Sequence, residues 1–201
     1  MKVLVACECS GTVRDNLINL GHDAISCDLQ PTEKPGPHYE GDVMDIINDG
    51  WDMVIAFPPC THLAVSGAAW FEEKRKDGRQ QEGMDFFMQM VNLPVEKIAI
   101  ENPIGIMSSE YRKPDQVIHP YYFGDPEPKA TCLWLKNLPA LKHFPQDDLF
   151  NKKTWVEPEY IVAKNGNKYS RIHYMGGGNG KERSVTYPGI GKAMAEQWTC
   201  Q

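Results

Sequence analysis

Phe57-Pro58-Pro59-Cys60 places a thiol directly after two prolines, at the end of the most apolar run in the chain, Met53-Val54-Ile55-Ala56-Phe57. Proline restricts its own φ and pushes the preceding residue toward extended backbone, so the next side chain is presented in a narrow range of directions. A thiol at the end of a core strand lies beside a cleft rather than within packing. It becomes a nucleophile where a helix N-terminus or a cation lowers its pKa. A second apolar run, Ile98-Ala99-Ile100, is expected to deliver Glu101 at its C-terminal end, with Asn102-Pro103 behind it. A carboxyl group there can hold or move a proton. Asp28 closes an earlier apolar run, and Asp42 follows Gly41. Each can accept hydrogen bonds from a sugar hydroxyl, or simply cap a turn or a helix. Taken singly, Cys60 also reads as a structural cysteine in a proline turn, and Glu101 as a solvated carboxylate.

The elements that must position these groups alternate strand with helix, the pattern of a parallel sheet. Residues 3–7 read as a buried strand. A turn at Ser10-Gly11 leads into a helix carrying Val13, Leu17 and Leu20 and ended by Gly21. Residues 24–27 form a second strand and residues 53–57 a third. Met84, Phe87, Met88 and Val91 mark a helix before the strand that carries Glu101. Parallel sheets bind ligands beyond the carboxyl ends of their strands, where all of these polar residues fall. After Pro103 the chain is richer in Pro, Tyr and Gly. Residues 160–163 and 168–174 around Asn165-Gly166 read as a hairpin. Gly176-Gly177-Gly178-Asn179-Gly180 is either a linker or a phosphate-contacting loop. A last helix, from about Gly191, places Ile190, Met194 and Trp198 on one face. The expected domains are an α/β core over 1–135, a small hairpin and loop region over 136–187, and a helix over 188–201 returning to the core.

With 201 residues, 41% of them hydrophobic and 24% charged, the chain has the composition of one well-formed globular core. No apolar run is long enough to span a bilayer and no signal-peptide pattern precedes residues 3–6, so a cytoplasmic protein without membrane contact is expected. The six cysteines form no Cys-x-x-Cys pair. The nearest approach to a metal motif, Cys7/Cys9, lacks partners, and reduced thiols without a metal are expected. A net charge of −6 argues against a surface coated with phosphate-binding groups. Beyond Tyr160, however, Lys164, Lys168, Arg171, Lys181, Arg183 and Lys192 face only Glu182 and Glu196. This reads either as a local basic face or as ordinary solvated surface.

The stretch from Asp52 to Cys60, with its loop ending in Ser66-Gly67, resembles the Pro-Cys motif of the cytosine-C5 DNA methyltransferases. Ile100-Glu101-Asn102-Pro103 resembles their Glu-Asn motif, one helix further on. The resemblance extends to most of the first 105 residues and the last fifteen or so, where Pro188-Gly189-Ile190-Gly191-Lys192 looks like the family's closing helix. It implies a Rossmann-like fold of the class I S-adenosylmethionine-dependent methyltransferases with a small C-terminal hairpin appendage. It implies Cys60 as the nucleophile on C6 of cytosine and Glu101 as the acid at N3. Cofactor contacts would come from Glu8, Cys9, Ser10, Gly11 and Thr12 in the place of the glycine-rich loop, from Asp28 and Leu29 at the ribose, from Asp42 and Val43 at the adenine, and from Phe57 and Pro59. Asn102, Lys129, Arg171, Lys181, Arg183 and Ser184 would form the substrate side, with Asn102 also bracing the Pro-Cys loop.

The sequence departs from that family in three places. Of three loop glycines only Gly11 remains. No Gln-x-Arg-x-Arg motif is present; Lys129 stands roughly in its place, with Arg183-Ser184 as a substitute. About fifty residues separate Leu135 from Pro188, too few for the usual target-recognition domain, as in short phage-type members. The partner implied is DNA or a free cytosine nucleotide, and a non-catalytic binding protein on the same fold is the remaining reading.

Overall fold

The structure is a computed structural model describing residues 1–171 and 185–199. Its elements are β1 (Lys2–Ala6), α1 (Thr12–Asn19), β2 (Asp23–Asp28), β3 (His38–Glu40), β4 (Met53–Ala56), α2 (Phe71–Lys76), α3 (Arg79–Val91), β5 (Lys97–Pro103), α4 (Met107–Glu110), β6 (Gln116–Ile118), β7 (Thr131–Lys136), β8 (Ile161–Val162), β9 (Lys168–Tyr169) and α5 (Pro188–Thr199). Seven strands make one sheet in the order β3-β2-β1-β4-β5-β7-β6. Only β7 runs against the others, antiparallel to both β5 and β6. This is the Rossmann-like α/β arrangement expected, a mostly parallel sheet with helices on both faces. The strands β8 and β9 form the separate small hairpin.

The central strands are buried on both faces, which is why they read as continuous apolar runs rather than alternating ones. Leu4, Ala6, Val54, Ala56, Ile98 and Ile100 meet Phe87 and Met90 of α3 on one face. Val3, Val5, Met53, Ile55 and Ala99 meet Val13 and Leu17 of α1 and Ile190, Met194 and Trp198 of α5 on the other. Each Val, Leu, Ile, Met or Phe among them contributes roughly 1.5–3 kcal/mol by leaving water, and each Ala less. Two glycines let α5 close in. A side chain at Gly191 would meet Thr12, and one at Gly189 would strike the Phe123 carbonyl.

Several expectations need correction. Leu20 lies past the end of α1 and is 40% exposed, because the helix stops at Asn19. The strand carrying Glu101 continues to Pro103, since β7 pairs with it as far as Pro103↔Thr131. Glu101 therefore lies within β5, one residue beyond the last pairing with β4 at Ala56↔Ile100. The last helix begins at Pro188, whose missing N–H costs nothing in a first turn. The strands β3, β6 and β7 were not anticipated.

One connection shapes the sheet's left edge. Parallel β2 and β3 are joined by residues 29–37 alone, with no crossover helix. Arg14, fully buried on α1, takes the helix's place. Its guanidinium donates to Ser26 Oγ at 3.1 Å, Thr32 Oγ1 at 3.0 Å and the Lys34 carbonyl at 3.1 Å, and pairs with Asp15 at 2.7 Å. A charge buried with this many partners satisfies a strap that has no ladder of its own.

Candidate active site

The strand order reverses between β1 and β4, so the crevice of this sheet opens beyond their carboxyl ends. On its right side, Pro58 to Cys60 leave β4 and turn at once, the Leu63 and Ala64 amides donating to the Cys60 carbonyl at 3.0 and 2.9 Å. Cys60 is partly exposed. The loop is tied to its neighbours at several points. Asn102 Nδ2 donates to the Pro58 carbonyl at 2.7 Å. The Val65 amide donates to Ile104 O, and the Ile106 amide to Leu63 O, both at 3.0 Å. Lys74 Nζ, buried at the end of α2, donates to Thr61 O at 2.6 Å. Gly105 permits this docking, because a side chain there would strike the Leu63 carbonyl.

Glu101 points to the opposite face of β5 from Asn102, as successive strand residues must. Its carboxyl is enclosed, and burial raises its pKa above the usual carboxylate range. The Lys129 charge and a hydrogen bond from Thr131 oppose that rise. Phe57, Glu101, Lys129, Thr131 and Tyr187 line a recess of about 20 Å³, room for a single water. Lys129 Nζ lies 5.8 Å from the Tyr187 ring centre. Burial, chiefly, with Glu127 and Asp125 adding to it, also pushes the Tyr187 phenol well up. Among the predicted substrate residues, Lys129 is thus beside Glu101. Asn102 is 2% exposed and donates to the Pro58 carbonyl, the bracing bond expected of it. Arg171 is exposed, its Nε 3.9 Å from Glu127. Lys181, Arg183, Ser184 and the Gly176–Gly180 loop lie outside the described residues. Thr131, Glu127 and Tyr187 were missed. Period-two spacing from Lys129 to Thr131 was the available signal, and it becomes readable only when β7 is recognised as a strand.

The left side is built differently. Cys7, the first residue after β1, is in a left-handed conformation, φ 59°, and Gly11 adopts φ 68°. The chain therefore keeps a glycine-like path where it has a cysteine. Burial, with Asp28, Cys27 and Asp42 nearby, pushes the Cys7 thiol up to about 12, so it stays protonated and inert at neutral pH. Asp28 accepts from the Gln30 amide with Oδ1, and Asp42 from the Met44 amide with Oδ1. Each keeps its second oxygen clear of those bonds. Other predicted cofactor side chains hold the loop itself. Glu8, 4% exposed, accepts from the Val13 amide at 2.8 Å and from Ser10 Oγ at 3.1 Å. It caps α1, whose Gly11 N-cap has no side chain to do so. Ser10 and Thr12 bond each other, and Val43 is buried in the core. The side chains of Glu8, Ser10, Thr12 and Val43 thus hold the loop and the core in place. The Cys9 carbonyl accepts from the Glu33 amide at 2.8 Å. Leu29 is 76% exposed, Phe57 lines the recess, and Pro59 is exposed.

No protein-family profile matches the chain, and the comparison with curated proteins finds no match. Among solved structures, a prophage-encoded Escherichia coli protein described as a "putative DNA modification methyltransferase" aligns with a TM-score of 0.45 and 19% identity, over 66% of this chain and 45% of its own. The chain thus spans less than half the length of that neighbour.

Proposed function

We propose that the protein is an S-adenosylmethionine-dependent methyltransferase acting on C5 of cytosine in DNA, with Cys60 as nucleophile and Glu101 as acid. The observation that carries this reading is the 2.7 Å bond from Asn102 to the Pro58 carbonyl. It couples the strand bearing Glu101 to the loop bearing Cys60, so that two groups far apart in sequence share one rigid edge. C5 of cytosine is a poor nucleophile until something adds at C6. In this reading the Cys60 Sγ electron pair forms the bond to C6 while N3 takes the Glu101 proton, leaving an electron-rich C5. Later the C5 proton passes to water and its electron pair forms the C5–C6 double bond, the Sγ–C6 bond breaks, and Cys60 leaves as thiolate while Glu101 recovers the proton from N3. A carboxyl group whose pKa burial raises suits that duty. Lys129, beside it, suits the base's carbonyl oxygen.

The cofactor fits the left side. Asp28 and Asp42 each retain a carboxylate oxygen for ribose and adenine donors, and the Cys7–Gly11 loop is tied to the end of β2 by the Glu8 amide on Cys27 O. S-adenosylmethionine, when bound there, supplies the methyl group that C5 takes up. Phosphate contacts would fall to Arg171, Lys181 and Arg183 in the 136–187 region. The net charge of −6 favours a second reading, a free cytosine nucleotide as substrate. Transfer of labelled methyl from S-adenosylmethionine, assayed side by side on duplex DNA and on deoxycytidine nucleotides, separates the two. Label in DNA is expected. Label in nucleotide alone moves the substrate, and label in neither removes the enzyme.

A further inference from the structure

Leu149 and Phe150 are the most exposed large apolar side chains among the described residues, at 89% and 87%. They occupy the tip of a loop that its own bonds close at successive levels. At the base the Phe144 amide donates to Thr154 Oγ1, and the Thr154 amide to the Phe144 carbonyl, both at 2.9 Å. Above that, the Lys153 amide donates to Asp147 Oδ1 at 2.7 Å. At the tip, Asp148 Oδ1 accepts from the Phe150 and Asn151 amides at 2.8 and 2.6 Å. Trp155, stacked on Tyr122 at 4.5 Å and donating to His143, holds the base to the turn of residues 120–123. That turn follows β6, which runs in the same direction as β5 because both are antiparallel to β7. The finger is therefore mounted at the carboxyl edge of the sheet, the edge that carries Cys60 and Glu101.

Its chemistry narrows the occupant. Two side chains cover far less than the roughly 800 Å² per partner of a stable protein interface. A wedge between stacked bases needs only one or two, and Phe and Leu are among those that serve. The charge turned outward is positive, because Asp147 and Asp148 direct carboxylate oxygens onto loop amides while Lys152 and Lys153 are exposed. We infer that this finger engages duplex DNA, Leu149 and Phe150 wedging into a base step while Lys152 and Lys153 meet the flanking phosphates. This rests on the proposed function in taking DNA as the substrate, and it decides against a free nucleotide, which offers no step to open.

A duplex made only of A·T pairs tests the finger apart from methyl transfer, because it holds no cytosine. Fluorescence anisotropy should show the full chain binding it. Leu149→Ala combined with Phe150→Ala should weaken that binding about 10- to 100-fold, the scale of one or two lost stacking contacts. Melting temperature and salt slope should not change, since both side chains are exposed and uncharged. Phe150→Trp, which keeps an aromatic face, should retain the affinity. With 2-aminopurine at one adenine, bright when unstacked, saturating wild type should raise the fluorescence and the double variant should not. Unchanged duplex affinity in the double variant, or no duplex binding by the wild type, overturns the assignment. So does tip-dependent binding to phosphatidylserine vesicles, or to a second copy of the chain, while duplex affinity holds. Tip-dependent duplex binding by a protein that transfers no methyl group instead sinks the methyltransferase reading and leaves the finger's role standing.

Discussion

The two sides of the crevice use the same kind of strand-to-loop junction but secure it by different means. On the right, the Cys60 loop is bolted to the next strand by bonds that cross between elements, Asn102 to Pro58, Val65 to Ile104 and Ile106 to Leu63. On the left, Glu8, Ser10, Asp28 and Asp42 bond mostly within their own loops, and buried Arg14 holds the strap of residues 29–37 from beneath. Cross-element bonds fix where a reacting atom sits relative to its partner, which nucleophile chemistry requires. On the left the Glu8 amide to Cys27 O and the Glu33 amide to Cys9 O also cross between elements, but the Asp28 and Asp42 side chains bond within their own turns, and in the proposed reading these carboxylates receive the cofactor. The difference predicts that mutations on the right damage turnover and those on the left damage cofactor affinity.

The largest effect expected from a supporting group is at Glu101. Glu101→Gln should lower turnover by about 10²- to 10⁴-fold, the range for a positioned acid, with cofactor affinity unchanged in calorimetry. Burial raises this carboxyl in the folded protein. Its contribution to stability is therefore fully present below the ordinary carboxylate pKa and is lost as pH rises through the raised one. Thermal melts at pH 5 and pH 8 should show the wild type losing more stability than Glu101→Gln over that interval. Equal losses would mean that burial does not hold this proton.

Asn102→Ala comes next. It leaves the buried Pro58 carbonyl without its donor, costing about 1–3 kcal/mol of stability by chemical denaturation. Turnover should fall while S-adenosylmethionine binding does not. If both fall together, the two sides are one unit and the contrast between them fails.

Asp28→Ala should act in the opposite sense. Cofactor binding is expected to weaken by about 1–3 kcal/mol with little change in melting temperature, since its loop bond to Gln30 is exposed. No cofactor binding by the wild type would favour the binding-protein reading.

The same contrast explains what the sequence revealed. Val3, Val54 and Ile98 belong to strands buried on both faces, so their apolar runs were readable, and a Pro-Pro-Cys end is visible at a glance. The strap was not, because Arg14 looks like an ordinary exposed cation until its partners at Thr32 and Lys34 are seen. Strands β3 and β6 have three residues each, too few for a period to register. β7 has turn residues on both sides, Pro126 and Pro128 before it and Asn137 and Pro139 after it, but its first four residues are all buried, so no alternation marks it as a strand. Glu8 was readable as a loop carboxylate, but not as the cap of α1, because the Val13 amide it accepts from lies five residues on, beyond the usual capping spacing. Glu127 carries no local signal at all. Its effect on Tyr187 is a property of three-dimensional neighbours.

The most direct test of the account concerns the bond between sulfur and base. Duplex DNA containing 5-fluorocytosine, incubated with the protein and S-adenosylmethionine, should yield a denaturation-resistant adduct, because fluorine at C5 cannot leave as a proton does. Peptide mass mapping should place the linkage on Cys60, and Cys60→Ser should give no adduct. An adduct of undiminished yield in Cys60→Ser, or a linkage mapped to Cys7 or Cys9, would contradict the assignment of the nucleophile.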